Sequence, residues 1–290
     1  MINFLVYILS FPLILLVSIL PFWALYLLSD FIYLILFYIV GYRKKVVLDN
    51  LKIAFPDKSD TELKQLRKKF YHHFVDIFME MIKTFTISEK EILKRFFITN
   101  EQEFANFLEK HPSAIIVSSH YANYEWFLGQ NIVIKTDTFG VYKKIKNKYF
   151  DNFVKRSRSK FSTILVPTKE LFPLMEKNFA NKRPGIYGFL NDQSPKMKKA
   201  HHSSTFFGVE VPVHTAAEML AKKYNYPVLY FNTEKIKRGF YKTTMHVLSE
   251  SPRELPDYKI TDMFMQKLEI QIRKQPEYYF WTHKRFKHAK

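Results

Sequence analysis

The 290-residue chain has no cysteine and only seven glycines. The lack of cysteine excludes disulfides, thiolate metal sites and a cysteine nucleophile. So few glycines disfavour glycine-rich phosphate-binding loops, and neither a GxGxxG nor a Walker A pattern is present. Lysine and arginine are absent from residues 1–40, where Asp30 is the one charged side chain. The first segment therefore differs in character from the rest of the chain.

The 45 Lys and Arg residues all lie after residue 40 and outnumber the 27 Asp and Glu residues, which gives a formal net charge of +18. Such a surface attracts polyanions: nucleic acid, anionic lipid or an acidic protein. The sequence has no helix-turn-helix spacing, zinc finger or RNP-like aromatic strand. We therefore expect an anionic membrane surface, and no nucleic acid, among the partners. A membrane-tethered protein that only binds anionic lipid or nucleic acid is the alternative from another functional class.

The apolar N-terminal run extends from Phe4 to Leu28. It is long enough for a membrane-spanning helix, which needs roughly 20 apolar residues. It lacks the basic start, short apolar core and small-residue cleavage site of a signal peptide. A second apolar stretch, Phe31 to Val40, is too short to span and is expected to lie along the interface or on the next domain. The sequence thus predicts a transmembrane helix followed by an interfacial segment.

Three basic residues, Arg43, Lys44 and Lys45, follow these apolar stretches directly. By the positive-inside tendency, the large basic domain then faces the cytoplasm. We predict a membrane anchor and interfacial segment over residues 1–45 and a cytoplasm-facing domain over residues 46–290.

Helix and strand signals alternate along the rest of the chain. Ser59 and Glu62 form a capping box before a helix over about residues 60–86. Strands are predicted at 96–99, 113–119, 137–142, 163–167, 185–190, 227–232 and 241–248. Ser88 and Glu91 repeat the capping box before a shorter helix. Further helices are predicted at 100–110, 169–179, 214–224 and 261–275. This alternation predicts an α/β fold, a mixed sheet flanked by helices on both faces.

An apolar strand signal ends abruptly at His120, and Glu125 follows five residues later. Ligands bind beyond the carboxyl ends of strands in open α/β sheets. A loop at His120 and a helix starting near Asn123 would let the carboxylate hold the imidazole and stabilise its charged form. There is no GxSxG elbow to supply a nucleophile. We therefore predict general-base catalysis, in which His120 removes a proton from an acceptor hydroxyl that attacks an acyl group directly, without a covalent acyl-enzyme.

The spacing H-x4-E is a weak signal alone, and the alternative is a histidine that caps a strand beside a solvated glutamate. Several blocks in order, however, resemble the lysophospholipid acyltransferase superfamily, and more closely its lipid A late acyltransferases. "HYANYEW" is similar to the His-x-Gly-Asn-Trp-Glu signature, with Ala122 in place of the usual glycine and Tyr124 in place of the common tryptophan. The other matching blocks are "RKKVVLDNLKIAFPD", "NDQSPK", "STFFGVEVPV" and "QPEYYFWTHKRFK".

This resemblance implies an enzyme at the bacterial inner membrane that moves an acyl chain from acyl carrier protein to a hydroxyl of a lipid A precursor. It implies His120 as base and Glu125 as orienting acid, with no cofactor or metal. An aminoacyl lipid or a lysophospholipid is the alternative acceptor, and acyl-CoA the alternative donor. Strongly acidic acyl carrier protein suits the basic surface, which would steer the encounter.

Further substrate-binding positions are predicted with less support from spacing. The resemblance makes Asp192 and Gln193 line the site, with a plain turn as the alternative, and it places Tyr142 and Lys143 near the active site. Asn123 is included because it, or a neighbouring residue, is expected to start the next helix.

The basic segment 143–160 holds eight Lys and Arg residues against Asp151. It is interpreted as a contact for acyl carrier protein, anionic lipid or acceptor phosphates, or as a solvated helix face. Arginine binds phosphate bidentately, which favours Arg156 and Arg158 as specific contacts.

Two further groups are open to a functional and a structural interpretation. Phe206 and Phe207 line an acyl groove or belong to the core. His72, Asp76 and Glu80 share one helical face, where an ordinary polar stripe is favoured over a metal site.

Overall fold

The apolar N-terminal segment forms two helices in the computed structural model, which describes residues 2–134 and 136–289. Helix α1 (Ile2–Ile19) ends before Leu20, and α2 (Phe22–Leu34) begins after Pro21. A π-helical turn, Ile35–Val40, continues α2 and stops at Gly41, whose φ of 65° lies in the left-handed region.

The predicted apolar helix is present, but its position differs from the sequence-based one. The run from Phe4 to Leu28 is interrupted at Pro21, which has no N–H to continue the hydrogen-bond ladder. Among the described residues, Phe22–Val40 is instead the helix that is long and apolar enough to cross a membrane. The stretch from Phe31 to Val40 is therefore continuous with α2 rather than a separate segment.

Eight further helices follow in the described part of the chain. They are α3 (Lys44–Ala54), α4 (Asp60–Lys83), α5 (Glu89–Arg95), α6 (Glu101–Lys110), α7 (Lys148–Arg158), α8 (Leu171–Ala180), α9 (Ala216–Tyr224) and α10 (Lys259–Lys274). The capping box at α4 forms as predicted, since the Ser59 side chain accepts from the Glu62 N–H and the Glu62 carboxylate accepts from the Ser59 N–H.

The main sheet has seven strands in the described residues, in the order β1-β9-β8-β2-β5-β3-β4. They are β1 (Phe96–Ile98), β2 (Ala114–Ser118), β3 (Thr138–Tyr142), β4 (Ile164–Pro167), β5 (Ile186–Leu190), β8 (Val228–Lys237) and β9 (Phe240–Ser249). Every pairing is parallel except that of β8 with β9. Strands β6 (His202–Phe206) and β7 (Val209–Val213) form a separate antiparallel hairpin. The predicted mixed α/β fold is confirmed.

Helix α4 is the element that joins the apolar N-terminal helices to the sheet domain. Phe70 and Phe74 of α4 enter the main core, which also contains Phe37 of the π-helical turn. The C-terminal tail closes the same core, where Asn50 of α3 donates to the carbonyl of Trp281 over 2.8 Å. The N-terminal helices are thus packed against the domain along one side.

Candidate active site

The carboxyl ends of two neighbouring parallel strands carry the central pair of the site. Ser118, the last residue of β2, is in register with Leu190, the last residue of β5. His120 and Asp192 each lie two positions beyond these ends, so the sheet brings them together. The imidazole Nδ1 of His120 lies 2.8 Å from Oδ1 of Asp192, and the His120 backbone N–H donates to the same oxygen over 3.1 Å.

The C-terminal tail fixes the loop that carries His120. The Phe280 N–H donates to the His120 carbonyl over 3.1 Å, and the Ala122 N–H donates to the Tyr278 carbonyl over 2.9 Å. Ala122 has a φ of 50°, in the left-handed region that a glycine adopts most readily. This explains the glycine of the signature that the sequence resembles. The tail hydrogen bonds hold alanine in the same conformation, at a cost of roughly 1–2 kcal/mol.

Aromatic and amide groups surround the imidazole of His120. The ring of Tyr124 lies 4.8 Å from it and that of Phe280 5.6 Å, measured between centroids. The side-chain nitrogen of Gln193 lies 3.4 Å from Nε2. The His120 side chain keeps 18% of its surface exposed, so a substrate can reach the ring.

Two ionisable groups near the ring have shifted pKa values. Burial raises the pKa of Asp192, but the charge and hydrogen bonds of His120 outweigh it and hold that pKa below its usual value. Burial lowers the pKa of His283 to about 4, and its Nε2 accepts from the Ser194 N–H over 3.1 Å. Asp192 is therefore ionised and His283 neutral near pH 7.

Glu125 faces Arg158 rather than the imidazole. The Arg158 Nε donates to Oε2 of Glu125 over 2.8 Å, and Nη2 donates to Oε1. The side chains of Glu125 and Arg158 are only 8% and 25% exposed. Although burial lowers the pKa of Arg158, the charge of Glu125 raises it above its usual value. The expected contact of Glu125 with the His120 ring is not among the hydrogen bonds of the described residues, because Asp192 already occupies Nδ1.

An apolar cavity of about 130 Å³ lies beside this ion pair. Glu125 and Arg158 contribute its polar edge, and α4 and α7 contribute most of its apolar wall. Its apolar lining consists of Phe78, Met81, Ile82, Phe85, Ile92, Leu128, Phe153, Val154 and Phe161. The basic segment of the sequence thus supplies both a salt bridge and an apolar surface, because α7 is amphipathic.

Asn123 and Tyr142 are committed to hydrogen bonds within the protein. Asn123 donates from Nδ2 to the Glu80 carboxylate over 2.6 Å, and its Oδ1 accepts from the Trp126 N–H. Tyr142 is buried at the end of β3, with its hydroxyl 3.4 Å from Asp151.

The other predicted substrate contacts lie on the surface or in the core. Lys143 and Arg156 are exposed. Phe206 packs against Phe286, and Phe207 packs against Trp281, inside the main core. The core interpretation of the two phenylalanines fits the structure, since other residues line the cavity beside Glu125.

Glu80 is a site residue whose role the sequence did not reveal. It is fully buried and accepts from Tyr26 of α2 over 2.8 Å, from Asn123 over 2.6 Å and from Tyr241 of β9 over 2.9 Å. Burial, followed by the nearby charge of Asp76, raises its pKa to about 7. The spacing of three polar residues along α4 was the available signal, but the donors come from three distant parts of the chain.

One group of possible metal ligands occurs in the described residues: Asp30, His72 and Asp76. Arg238 already occupies it, with Nη2 2.6 Å from a carboxylate oxygen of both Asp30 and Asp76. A guanidinium between the two carboxylates supplies the positive charge that a cation would otherwise bring. The group is therefore an ion-pair network.

A comparison with protein-family models identifies the family of the chain. The family model described as "Bacterial lipid A biosynthesis acyltransferase" matches residues 2–288, nearly the whole chain. No curated protein matches the chain.

Proposed function

Because the chain belongs to the bacterial lipid A biosynthesis acyltransferase family, we propose that it moves a fatty acyl chain from acyl carrier protein to a hydroxyl of a lipid A precursor. The observation that carries this proposal is the hydrogen bond between His120 and Asp192 at the carboxyl ends of β2 and β5. A histidine held at Nδ1 by a buried carboxylate is suited to act as a general base through Nε2.

In the proposed reaction, Asp192 accepts the Nδ1–H of His120, which leaves the lone pair of Nε2 available for the acceptor. Nε2 takes the hydroxyl proton while the hydroxyl oxygen attacks the thioester carbonyl carbon. When the tetrahedral intermediate collapses, the C–S bond breaks and the thiolate leaves, and His120 returns its proton to the sulfur. Asp192 stabilises the imidazolium in between, and no group of the protein is acylated.

Glu125 and Arg158 have a different proposed role, the positioning of substrate. The guanidinium offers five N–H donors, of which Glu125 accepts two. Since Arg158 also lines the apolar cavity, we assign the remaining donors to an oxygen of the thioester or of an acceptor phosphate. The cavity itself would hold the start of the acyl chain.

The exposed basic residues of segment 143–160 support an acidic donor. Lys143 and Lys144, before the cavity-lining helix α7, and Arg156, on α7 itself, are exposed. They would bring acyl carrier protein to the cavity rather than elsewhere on the surface. Complementary charge accelerates encounter, and its effect weakens as salt screens it. The enzyme would work at the cytoplasmic side of the bacterial inner membrane.

Lipid mass spectrometry of cells with and without the gene tests the acceptor. Loss of one acyl chain from lipid A is the expected result, with restoration by the wild-type chain and none by His120→Ala. An unchanged lipid A together with an altered aminolipid or phospholipid would refute the proposed acceptor while leaving the chemistry intact. Purified enzyme supplied with acyl carrier protein or coenzyme A thioesters would identify the donor.

A further inference from the structure

The outer face of α2 and its π-helical turn carries one continuous apolar stripe. Trp23, Leu27, Phe31, Leu34 and Tyr38 are 68%, 63%, 60%, 50% and 57% exposed, in that order. They recur at intervals of three or four residues, which places them on a single side of the helix. This stripe points away from the domain.

The opposite face of α2 is bound to the domain by polar groups. Ser29 donates to Asp76 over 2.7 Å, and it is almost fully buried. Asp30 accepts from Arg238 at the tip of the β8–β9 hairpin over 2.6 Å, and Arg238 also reaches the Tyr26 carbonyl over 3.4 Å. The catalytic domain therefore runs alongside the helix instead of hanging from its end.

Helix α1 is attached in the same manner at its C-terminal end. Lys83 of α4 donates to the carbonyls of Ser18 and Leu20 over 2.8 Å and 2.7 Å. The exposed apolar residues of its last two turns include Leu13, Leu16 and Ile19, at 64%, 64% and 61%. Both N-terminal helices thus present apolar side chains outward, and inward they combine these polar contacts with apolar packing against Val75 and Met79 of α4.

This arrangement is incompatible with a lone spanning helix. The 19 residues of Phe22–Val40 would extend about 28 Å at about 1.5 Å per residue. Asp30 would then lie roughly 12 Å from the first end, near the bilayer midplane. Arg238 and the fully buried Asp76 would be drawn into hydrocarbon with it, together with exposed lysines of α4 such as Lys68. Ionised groups at that depth are expensive.

We infer that α1 and α2 lie in the plane of one leaflet, with the stripe in the acyl region, and that neither helix crosses the bilayer. A helix that lies in the membrane interface buries its outward apolar face only about 5–10 Å into the boundary between headgroups and acyl chains. The exposed Arg43 and Lys45 follow at the end of the π-helical turn, where anionic headgroups would meet them. The inference rests on the proposed membrane location but not on the acyl-transfer chemistry.

The in-plane position has a consequence for the cavity. Phe11 of α1 packs on Phe153 of α7, with ring centroids 5.7 Å apart, and Phe153 lines the cavity. Helix α1 therefore borders the cavity wall. An acceptor lipid would approach the site from within the leaflet, without first leaving the membrane.

The absence of cysteine from the chain makes the inference directly testable. Trp23→Cys, Phe31→Cys and Tyr38→Cys variants of the full chain would be labelled with a nitroxide in vesicles of phosphatidylethanolamine, phosphatidylglycerol and cardiolipin. Label depth is measured by relaxation with oxygen and a nickel chelate, and Lys110→Cys is the aqueous control. We expect the three stripe labels at one shallow depth, within a few ångströms of each other. Melting curves check that each variant is folded. We expect unchanged melting temperatures, because all three side chains are more than half exposed.

A spanning helix gives a different pattern, which would overturn the inference. Phe31→Cys would lie near the midplane, and Trp23→Cys and Tyr38→Cys would lie at opposite surfaces, separated along the helix by about 22 Å. In sealed vesicles, an impermeant maleimide would then label those two unmodified cysteines from opposite sides, whereas the in-plane arrangement gives labelling from the same side. Failure to bind the vesicles would refute both this inference and the membrane location. Shallow labels on a protein without acyl transfer would refute the proposed chemistry alone.

Discussion

The substitution Asp192→Asn tests whether the carboxylate of Asp192 stabilises the His120 imidazolium. Asp192 is 1% exposed and accepts both the backbone N–H and, over 2.8 Å, the Nδ1 side of His120. Asparagine keeps the shape and one acceptor oxygen, so the backbone hydrogen bond survives. The negative charge that would stabilise the imidazolium is lost.

The size of the effect follows from the separation of the charges. An imidazolium and a carboxylate with centres about 4 Å apart attract each other by about 4 kcal/mol at an effective dielectric constant of about 20. Since each 1.36 kcal/mol is a factor of about ten in rate, kcat should fall by about 10³. The KM should change little, because Asp192 does not line the cavity.

Initial rates with acyl carrier protein thioester and purified protein in detergent measure this loss. Asp137→Asn is the matched control, because Asp137 also holds a basic group, Arg183 at 2.6 Å, but is 41% exposed at the far end of β3. It should retain wild-type kcat. If Asp192→Asn keeps kcat within threefold of wild type with an unchanged melting temperature, the proposed base is wrong.

Three further predictions concern the surroundings of the site. Glu125→Gln leaves the Arg158 guanidinium without its counter-charge and should lower the free energy of unfolding by about 2–3 kcal/mol, a value below that of fully buried pairs. The double variant Glu125→Gln with Arg158→Met should recover most of this lost stability in thermal melts, yet it should be inactive. A double variant with wild-type activity would exclude a role of the pair in positioning substrate. The pKa of Glu80 is raised to about 7, so the folded state binds more protons than the unfolded state between about pH 4.5 and 7. The free energy of unfolding therefore falls as pH rises through that window, by up to about 3 kcal/mol. Glu80→Gln should flatten this pH dependence, and an unchanged slope would contradict the raised pKa of Glu80. Val154→Phe fills part of the cavity, so mass spectra of the product should show transfer of shorter acyl chains. Phe172→Leu, on the exposed face of α8, is the control. Unchanged chain selection in Val154→Phe would place the acyl chain elsewhere.

Local patterns in the sequence were sufficient to predict most of the fold. The capping box at Ser59 predicted α4, and the short apolar runs predicted the strands of the main sheet. Most of the predicted helix and strand ends lie within a few residues of the observed ones. Helix α3 and the β6–β7 hairpin were missed. Polar residues interrupt the periodicity of α3, and the hairpin turn at Phe207 and Gly208 adopts positive φ at both positions, which only one glycine signals.

The partner of His120 could not be predicted from spacing, because it depends on which strands are neighbours. Glu125 is five residues from His120, whereas Asp192 is 72 residues away. Strand β5 lies beside β2, and the intervening β3 and β4 extend the sheet outward beyond β5. A sequence that predicts every strand still leaves their lateral order open. The carboxyl end of β5 was recognised as a site, but its contact with the carboxyl end of β2 is a property of the assembled sheet.

The buried carboxylate of Glu80 connects helix α2 to the loop that carries His120. One oxygen accepts from Tyr26, whose helix carries the apolar stripe, and the other accepts from Asn123, three residues after His120. The Asn123 Oδ1 in turn accepts from the N–H of Trp126, which starts the turn after Glu125. A displacement of α2 from α4 would therefore remove a donor from a fully buried acceptor, and an unpaired buried carboxylate is costly. The loop that positions His120 and Glu125 is accordingly most stable when α2 is seated on the domain, which is the arrangement that an in-plane membrane position preserves.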